Sequence, residues 1–288
     1  MKSNMTTWQN AMARVEVLRI FAYNYCSRGV VILTLAFVGV SASLSTANTV
    51  HADTLYATGF ENPPFTDGSL LVGQDGWVVG AIPGGELSPD AAVITNTVAR
   101  SGLQSVEVRG ADLIRSAPIT DPYDAVGSYR RPLNYTVSPA KFTAIIEADL
   151  LLETNKPVTP GEFFSLTISA RSGNGKTVGE IGLSSAGIVE AFDFNAAPGS
   201  APVISQLISF NQWYHITMLL DYAGGRTSYL INGQFLGTVS TSGASKGLAR
   251  ASMVVYARPD GDPNTGPGSA RSNYTARFDN FRVNVIGN

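Results

Sequence analysis

From residue 53 onward, hydrophobic and polar residues alternate in short runs, and no long stretch carries the three-and-four apolar spacing with end caps that marks a helix. The clearest alternation is KFTAIIEADLLLE. Phe142, Ala144, Ile146, Ala148, Leu150 and Leu152 fall on one side, and Thr143, Ile145, Glu147, Asp149 and Leu151 on the other. This predicts a long strand with a wholly apolar inner face. GEFFSLTISARSG, TVGEIGLSSAG and GIVEAFDF follow as shorter β-rich runs separated by Gly, Asn and Ser, which adopt the turn conformations that bulkier residues resist. They read as a meander. WYHITMLLDY and RTSYLI, joined by AGG, predict two more strands, and Asn232-Gly233 then leads into QFLGTV. A two-residue type I′ turn needs positive φ at both central positions, which Asn and Gly tolerate best, so a hairpin is predicted there. SMVVYARP and ARFDNFRVNV supply two further strands, with the Gly- and Pro-rich loop DGDPNTGPGSAR between them.

Many short strands at regular spacing, with no helix between them, predict an all-β fold: an antiparallel two-sheet β-sandwich. The first 52 residues differ from the rest. Arg14, Arg19 and Arg28 precede the apolar run GVVILTLAFVGV, and Val50 and Ala52 stand at −3 and −1 of a small-residue cleavage site. Residues 1–52 are therefore expected to be a signal peptide, and residues 53–288 a single sandwich domain. The protein is expected to be secreted, extracellular or periplasmic, with no membrane association after cleavage; no sorting tail follows Asn288, which favours release over anchoring. Cys26, the sole cysteine, lies inside the signal segment, so the mature domain has neither disulfide nor thiol chemistry. Beyond residue 52 there are 16 basic against 21 acidic side chains and no basic cluster, which excludes nucleic acid as an expected partner.

The string W-Y-H-I-T-M-L-L-D-Y, followed by a Gly turn and S-Y-L-I-N-G-Q-F-L-G, resembles the laminin G-like and concanavalin A-like jelly rolls, which share a tryptophan-led strand, a turn, and a strand ending in Tyr-x-x-Asn/Asp-Gly. The opening GFENPPFTDGSLLVGQDGW and the closing RFDNFRV are similar to the end segments of exported bacterial members of this superfamily. The resemblance spans residues 53–288 and implies the fold. It does not fix an activity, because the superfamily includes lectins, carbohydrate-binding modules, glycoside hydrolases, polysaccharide lyases and adhesion modules.

Chemistry is confined to few groups. His215 is the one histidine beyond residue 52. It sits mid-strand with Trp213, Thr217 and Leu219 on its face, and no G-x-S-x-G nucleophile accompanies it, so a structural role is expected and a multi-histidine zinc site is excluded. Glu147, Asp149 and Glu153 resemble the E-x-D-x-x-E strand of laminarinase- and agarase-type hydrolases, with one extra residue before the last acid. In a regular strand alternate residues stand about 6.6 Å apart, so Glu147 and Glu153 would be about 20 Å apart. A retaining pair requires about 5.5 Å. Glu147 and Asp149 remain the weak catalytic candidates, against the simpler reading of a solvated acidic face. Glu107 and Arg109 in SVEVRG alternate as in some alginate lyases, but the Gln-Ile-His and Tyr-Phe-Lys segments of that pattern are missing, and ordinary strand polarity explains them.

Superfamily members often hold a structural calcium between their first and last strands, and by that resemblance Glu61 and Asp279 are the metal candidates, with Ca2+ as a possible cofactor. Asp260, Asp262 and Asn264 begin like an EF-hand, but Gly266 comes one place late and Arg271 stands where the closing Glu belongs. For sugar binding, ring platforms beside planar hydrogen-bonding groups are needed; Tyr129 with Arg130, Tyr256 with Arg258, and Trp77 fit. The reading these residues favour is an exported, non-catalytic, lectin-like module binding an extracellular polysaccharide or glycan. The alternatives are a structural or adhesive module contacting other surface proteins, and a polysaccharide-cleaving enzyme using Glu147 and Asp149.

Overall fold

The computed structural model describes residues 51–80, 88–115, 125–137, 143–154, 162–192, 204–241, 247–258, 268–269 and 272–287, which lie within one unit, Asn48–Asn288. The expected signal segment is outside the described residues up to Val50, and the Gly- and Pro-rich loop is outside them except at 268–269.

The alternating runs form β1 (His51–Thr58), β2 (Val78–Val79), β3 (Ala92–Thr95), β4 (Ser105–Arg109), β5 (Ile114–Arg115), β6 (Ala125–Tyr135), β7 (Thr143–Thr154), β8 (Phe163–Arg171) and β9 (Thr177–Ser184). The chain continues through β10 (Ile188–Ala191), β11 (Ile204–Leu207), β12 (Trp213–Asp221), β13 (Arg226–Ile231), β14 (Gln234–Ser240), β15 (Leu248–Arg258), β16 (Gly268–Ser269) and β17 (Tyr274–Gly287). One sheet runs β14-β13-β12-β7-β17-β4-β3, with β1 beside the second half of β17. The other runs β11-β10-β9-β8-β15-β6-β5-β16, with β2 on β6. The strand pairings are antiparallel and neither sheet closes on itself. The predicted hairpin is present: Asn232 and Gly233 have φ of 50° and 78°, and Ile231 pairs with Gln234.

Alternation decides which face each residue takes. Ala144, Ile146, Ala148 and Leu150 of β7 are fully buried, as are Phe164, Leu166, Ile168 and Ala170 of β8 and Ala251, Met253, Val255 and Ala257 of β15. These inward rows fill a single apolar cluster between the sheets. Near one end of it, Trp77 packs edge-on against Phe281 and Tyr56 at centroid distances of 5.2 and 6.1 Å. Its indole Nε1–H donates to the Tyr56 hydroxyl at 2.8 Å.

Two expectations change here. Trp77 and Tyr129 are both fully buried, and the Tyr129 hydroxyl donates to the Ser88 carbonyl at 2.8 Å, so neither ring can present a face to a sugar. The register of the final strand also differs from strict alternation. Asp279 pairs with Asp149 and Arg282 with Glu147, so Asn280 and Phe281 together oppose one residue of β7. Asn280, at φ 49°, is the inserted residue of a β-bulge. The bulge sends Phe281 and Val283 into the core and turns Asp279 to the opposite face.

Replacing Trp77 by Ala removes the largest fully buried side chain together with its hydrogen bond. The expected loss in chemical denaturation is about 3–5 kcal/mol with the fold retained.

Candidate active site

The core uses the inner face of each sheet, so reactive groups must come from the outer faces. The outer face of β12, β7 and β17 carries the acidic run. Asp149 and Glu147 both turn outward, and His215, directly opposite Asp149 on β12, lies between them. Its Nδ1 is 3.0 Å from Asp149 Oδ1 and its Nε2 is 3.6 Å from Glu147 Oε1. Hydrogen bonding to Asp149, then to Glu147, raises the imidazole pKa to about 9 against the cost of burial. The ring is therefore a cation at neutral pH, matched to both carboxylates. Asp149 also accepts from Asn280 Nδ2 at 2.7 Å. Next to this group, Arg277 is held by Glu107 at 2.6 Å and by Glu153 at 2.5 Å, and Glu107 also meets Arg109 at 2.5 Å. Glu147, Asp149, Glu107 and Arg109 are thus members of closed ion-pair networks.

Glu61 and Asp279 act together on one loop. Glu61 Oε1 accepts from the amides of Leu103 and Gln104 at 2.9 and 3.1 Å. Asp279 Oδ2 accepts from those of Arg100 and Ser101 at 2.8 and 3.0 Å, and its Oδ1 from the amide of Asn280 at 2.7 Å. Gly102 is required between these anchors: its φ is +65°, and a Cβ there would stand 2.1 Å from Glu61 Oε1. Burial still raises the Asp279 pKa to about 6, despite the amide donors. Three of the four carboxylate oxygens of the pair accept backbone amides, which fastens the loop to the final strand. Among the described residues, no group of three His, Cys, Asp or Glu side chains is gathered to hold a metal ion.

The outer face of the other sheet is built differently. Its floor is small: Ser128, Ser165, Thr167, Ser169 and Ser252 face outward, yet each is nearly buried. One row across the strands reads Glu180, Ser169, Ser252, Arg130, from β9 through β8 and β15 to β6. The next row holds Gly182, Thr167, Val254 and Ser128, with Glu190 of β10 opposite Gly182. Gly182 must lack a side chain, since a Cβ would lie 2.1 Å from the Leu166 carbonyl oxygen. Glu180 and Glu190 are therefore diagonal neighbours on adjacent strands, a relation that puts Cα atoms about 7–8 Å apart. Burial raises the pKa of Glu180 against the opposing effect of its Ser169 and Tyr256 hydrogen bonds, and burial also raises that of Glu190. The Tyr256 hydroxyl donates to Glu180 Oε1 at 3.2 Å.

Of the expected sugar-binding residues, Arg130 and Tyr256 are brought onto this face, with Tyr256 reaching Glu180. Tyr129 and Trp77 are withdrawn into the core, and the side chain of Arg258 lies outside the described residues. Glu180 and Glu190 were not foreseen. Their signal was present in V-G-E-I-G-L-S and I-V-E-A: a lone carboxylate mid-strand, flanked by apolar residues and alternating with glycine and serine, has no solvated acidic run to belong to.

No family model matches the chain, and no curated protein matches it in sequence. Solved structures do. An endo-1,3-β-glucanase from Streptomyces sioyaensis is similar over 86% of this chain and 100% of its own, at TM-score 0.53 and 14% identity. The fold is that of the concanavalin A-like lectins and glucanases. An endo-β-1,4-glucuronan lyase from the fungus Trichoderma reesei aligns over 75% of this chain and 93% of its own, at TM-score 0.46 and 12% identity. An alginate lyase of polysaccharide lyase family 7 aligns over 68% and 83%, at TM-score 0.43 and 12% identity. The jelly roll is shared with the Streptomyces sioyaensis protein, which is described as an endo-1,3-β-glucanase. That finding corrects the expectation of a non-catalytic lectin-like module.

The His215 shift has a testable sign. Its pKa is higher folded than unfolded, so its stabilisation is complete below about pH 6.5 and is lost as pH rises through about 9. An NMR titration of the ring should give a midpoint of about 9. His215→Gln should cost about 1 kcal/mol, or 2–4 °C in Tm, at pH 7, a modest figure because solvent screens the half-open ring. The difference between variant and wild type should vanish above pH 10.

Proposed function

We propose that the protein is a glycan-cleaving enzyme of the hydrolase type, working on the outer face of β9, β10, β8 and β15, with Glu180 and Glu190 as its paired carboxyl groups. The observation that carries this reading is the placement of two buried carboxyls, both with raised pKa, on adjacent strands of a small-residue floor. A carboxyl whose pKa is raised by burial keeps its proton to higher pH and can donate it to a glycosidic oxygen while a second carboxylate assists water or the sugar ring from the other side. Glu180, hydrogen-bonded by Tyr256, is the proton donor; Glu190 is the base or nucleophile. Tyr256 orients Glu180 and offers its ring edge to the substrate.

The shared fold supports the enzyme class, since the similar structures are described as glucanases and polysaccharide lyases. Glu147 and Asp149 fit the role less well because His215 occupies both. A substrate outside the cell and an exported enzyme are part of the same proposal, and they rest on the leader-like composition of residues 1–52.

Wild-type protein is expected to release saturated reducing ends from at least one member of a polysaccharide panel. Glu180→Gln, close to isosteric, should lower kcat by 10²–10⁴-fold, the usual weight of a general acid, while leaving Tm unchanged. Activity should fall as pH rises through the raised Glu180 pKa, because the proton to be donated is lost. Undiminished cleavage by Glu180→Gln, or loss of activity in Glu147→Gln alone, would move the site to the other sheet.

A further inference from the structure

Arginine is distributed unevenly on the outer face that carries Glu180. Arg171 of β8 and Arg250 of β15 stand directly opposite one another. Arg130 of β6 pairs with Ser252, two residues along from Arg250 on the same face, and so is its diagonal neighbour. Like charges directly opposite on adjacent strands destabilise a sheet. Here three guanidiniums meet, and among the described residues none of them makes a hydrogen bond or ion pair within the protein. All three are half-buried. The Nε of Arg130 is fully buried and has no hydrogen-bond partner. Burial, then repulsion from Arg171 and Arg130, lowers the Arg250 pKa. Glu180 interacts electrostatically with Arg171 but is itself buried, which raises its pKa. On the opposite sheet Arg277 is held between two glutamates, whereas among the described residues no carboxylate forms an ion pair with these three.

We propose that Arg130, Arg171 and Arg250 form a subsite for an anionic sugar unit, bearing a carboxylate or a sulfate ester, next to the Glu180 site. This rests on the reading of that face as a glycan-cleaving site and names its substrate class. The planar forks match carboxylate and sulfate oxygens two at a time, and a single anion shared by three guanidiniums relieves the repulsion that the free protein carries. The row from Glu180 through Ser169 and Ser252 to Arg130 spans three strand spacings, about 14 Å, so the anion is held away from the cleaved bond and sets which chains are accepted. Arg250 and Arg171 are positioning groups for substrate and take no part in proton transfer.

The test uses the full chain carrying Glu180→Gln, so that ligands are bound without turnover. Affinity is measured by calorimetry for a polyuronate oligosaccharide, a sulfated oligosaccharide and a neutral β-glucan oligosaccharide of equal length. One of the acidic ligands should bind at least tenfold more tightly than the neutral one; preference for the uronate assigns a carboxylate, and preference for the sulfated chain assigns a sulfate. Adding Arg171→Met or Arg250→Met should remove that preference and raise the ligand-free Tm, because a repulsion is relieved. Equal affinity for all three ligands, or an acidic preference that survives both arginine variants, overturns the subsite. The two readings fail separately. Cleavage of a neutral glucan by wild type without acidic preference defeats the subsite alone. Arginine-dependent binding of an acidic chain that wild type never cleaves upholds the subsite and defeats the enzyme.

Discussion

Side chains on a strand must alternate between two faces, and everything this protein does is shaped by that constraint. Packing two sheets together seals one face of each with the rows from β7, β8, β12 and β15, and it leaves two outer faces as the only broad surfaces of regular geometry. With no thiol and one imidazole beyond residue 52, chemistry on those surfaces falls to carboxylates, tyrosines and arginines. The question of function then becomes which outer face keeps its polar groups in reserve.

The two faces answer differently. On β12, β7 and β17, each conspicuous charge meets an opposite one: His215 bridges two acids, and Arg277 bridges two others. The Asp279 carboxylate holds the β3–β4 loop by its amides. Such networks fix a sheet and its loops. On β9, β8, β15 and β6 the pattern is reversed, with acids whose pKa burial raises and arginines facing one another. Unsatisfied charge weakens a folded protein, and its persistence in one place is the usual mark of a ligand that completes it. The small floor of serines and Gly182 provides the room, and the tall side chains stand around it.

The fold was legible from the sequence because its signals are local. The alternation from Ala144 to Leu152 placed the inner face of β7, and Asn232-Gly233 placed a turn whose positive φ values those residues tolerate best. The β-bulge at Asn280 was not legible, since nothing in FDNFRV distinguishes an inserted residue from a paired one. Tyr129 and Trp77 looked like platforms by residue type, whereas their positions opposite the second sheet made them core. The site was missed for a related reason. An acidic run such as Glu147-Ala-Asp149 draws the eye, yet it arises because that face is polar and self-paired. Glu180 and Glu190 are single acids in apolar surroundings, and they meet only when β9 and β10 pair.

The central claim is that substrate lies across β9, β8 and β15. It is tested most directly by the crystal structure of the Glu180→Gln variant soaked with an oligosaccharide that wild type cleaves. The account predicts sugar density over Ser169 and Ser252, with a glycosidic oxygen within hydrogen-bonding distance of the side chain at position 180. Density over β7 and β12, with the sugar against His215 and Glu147, would contradict it.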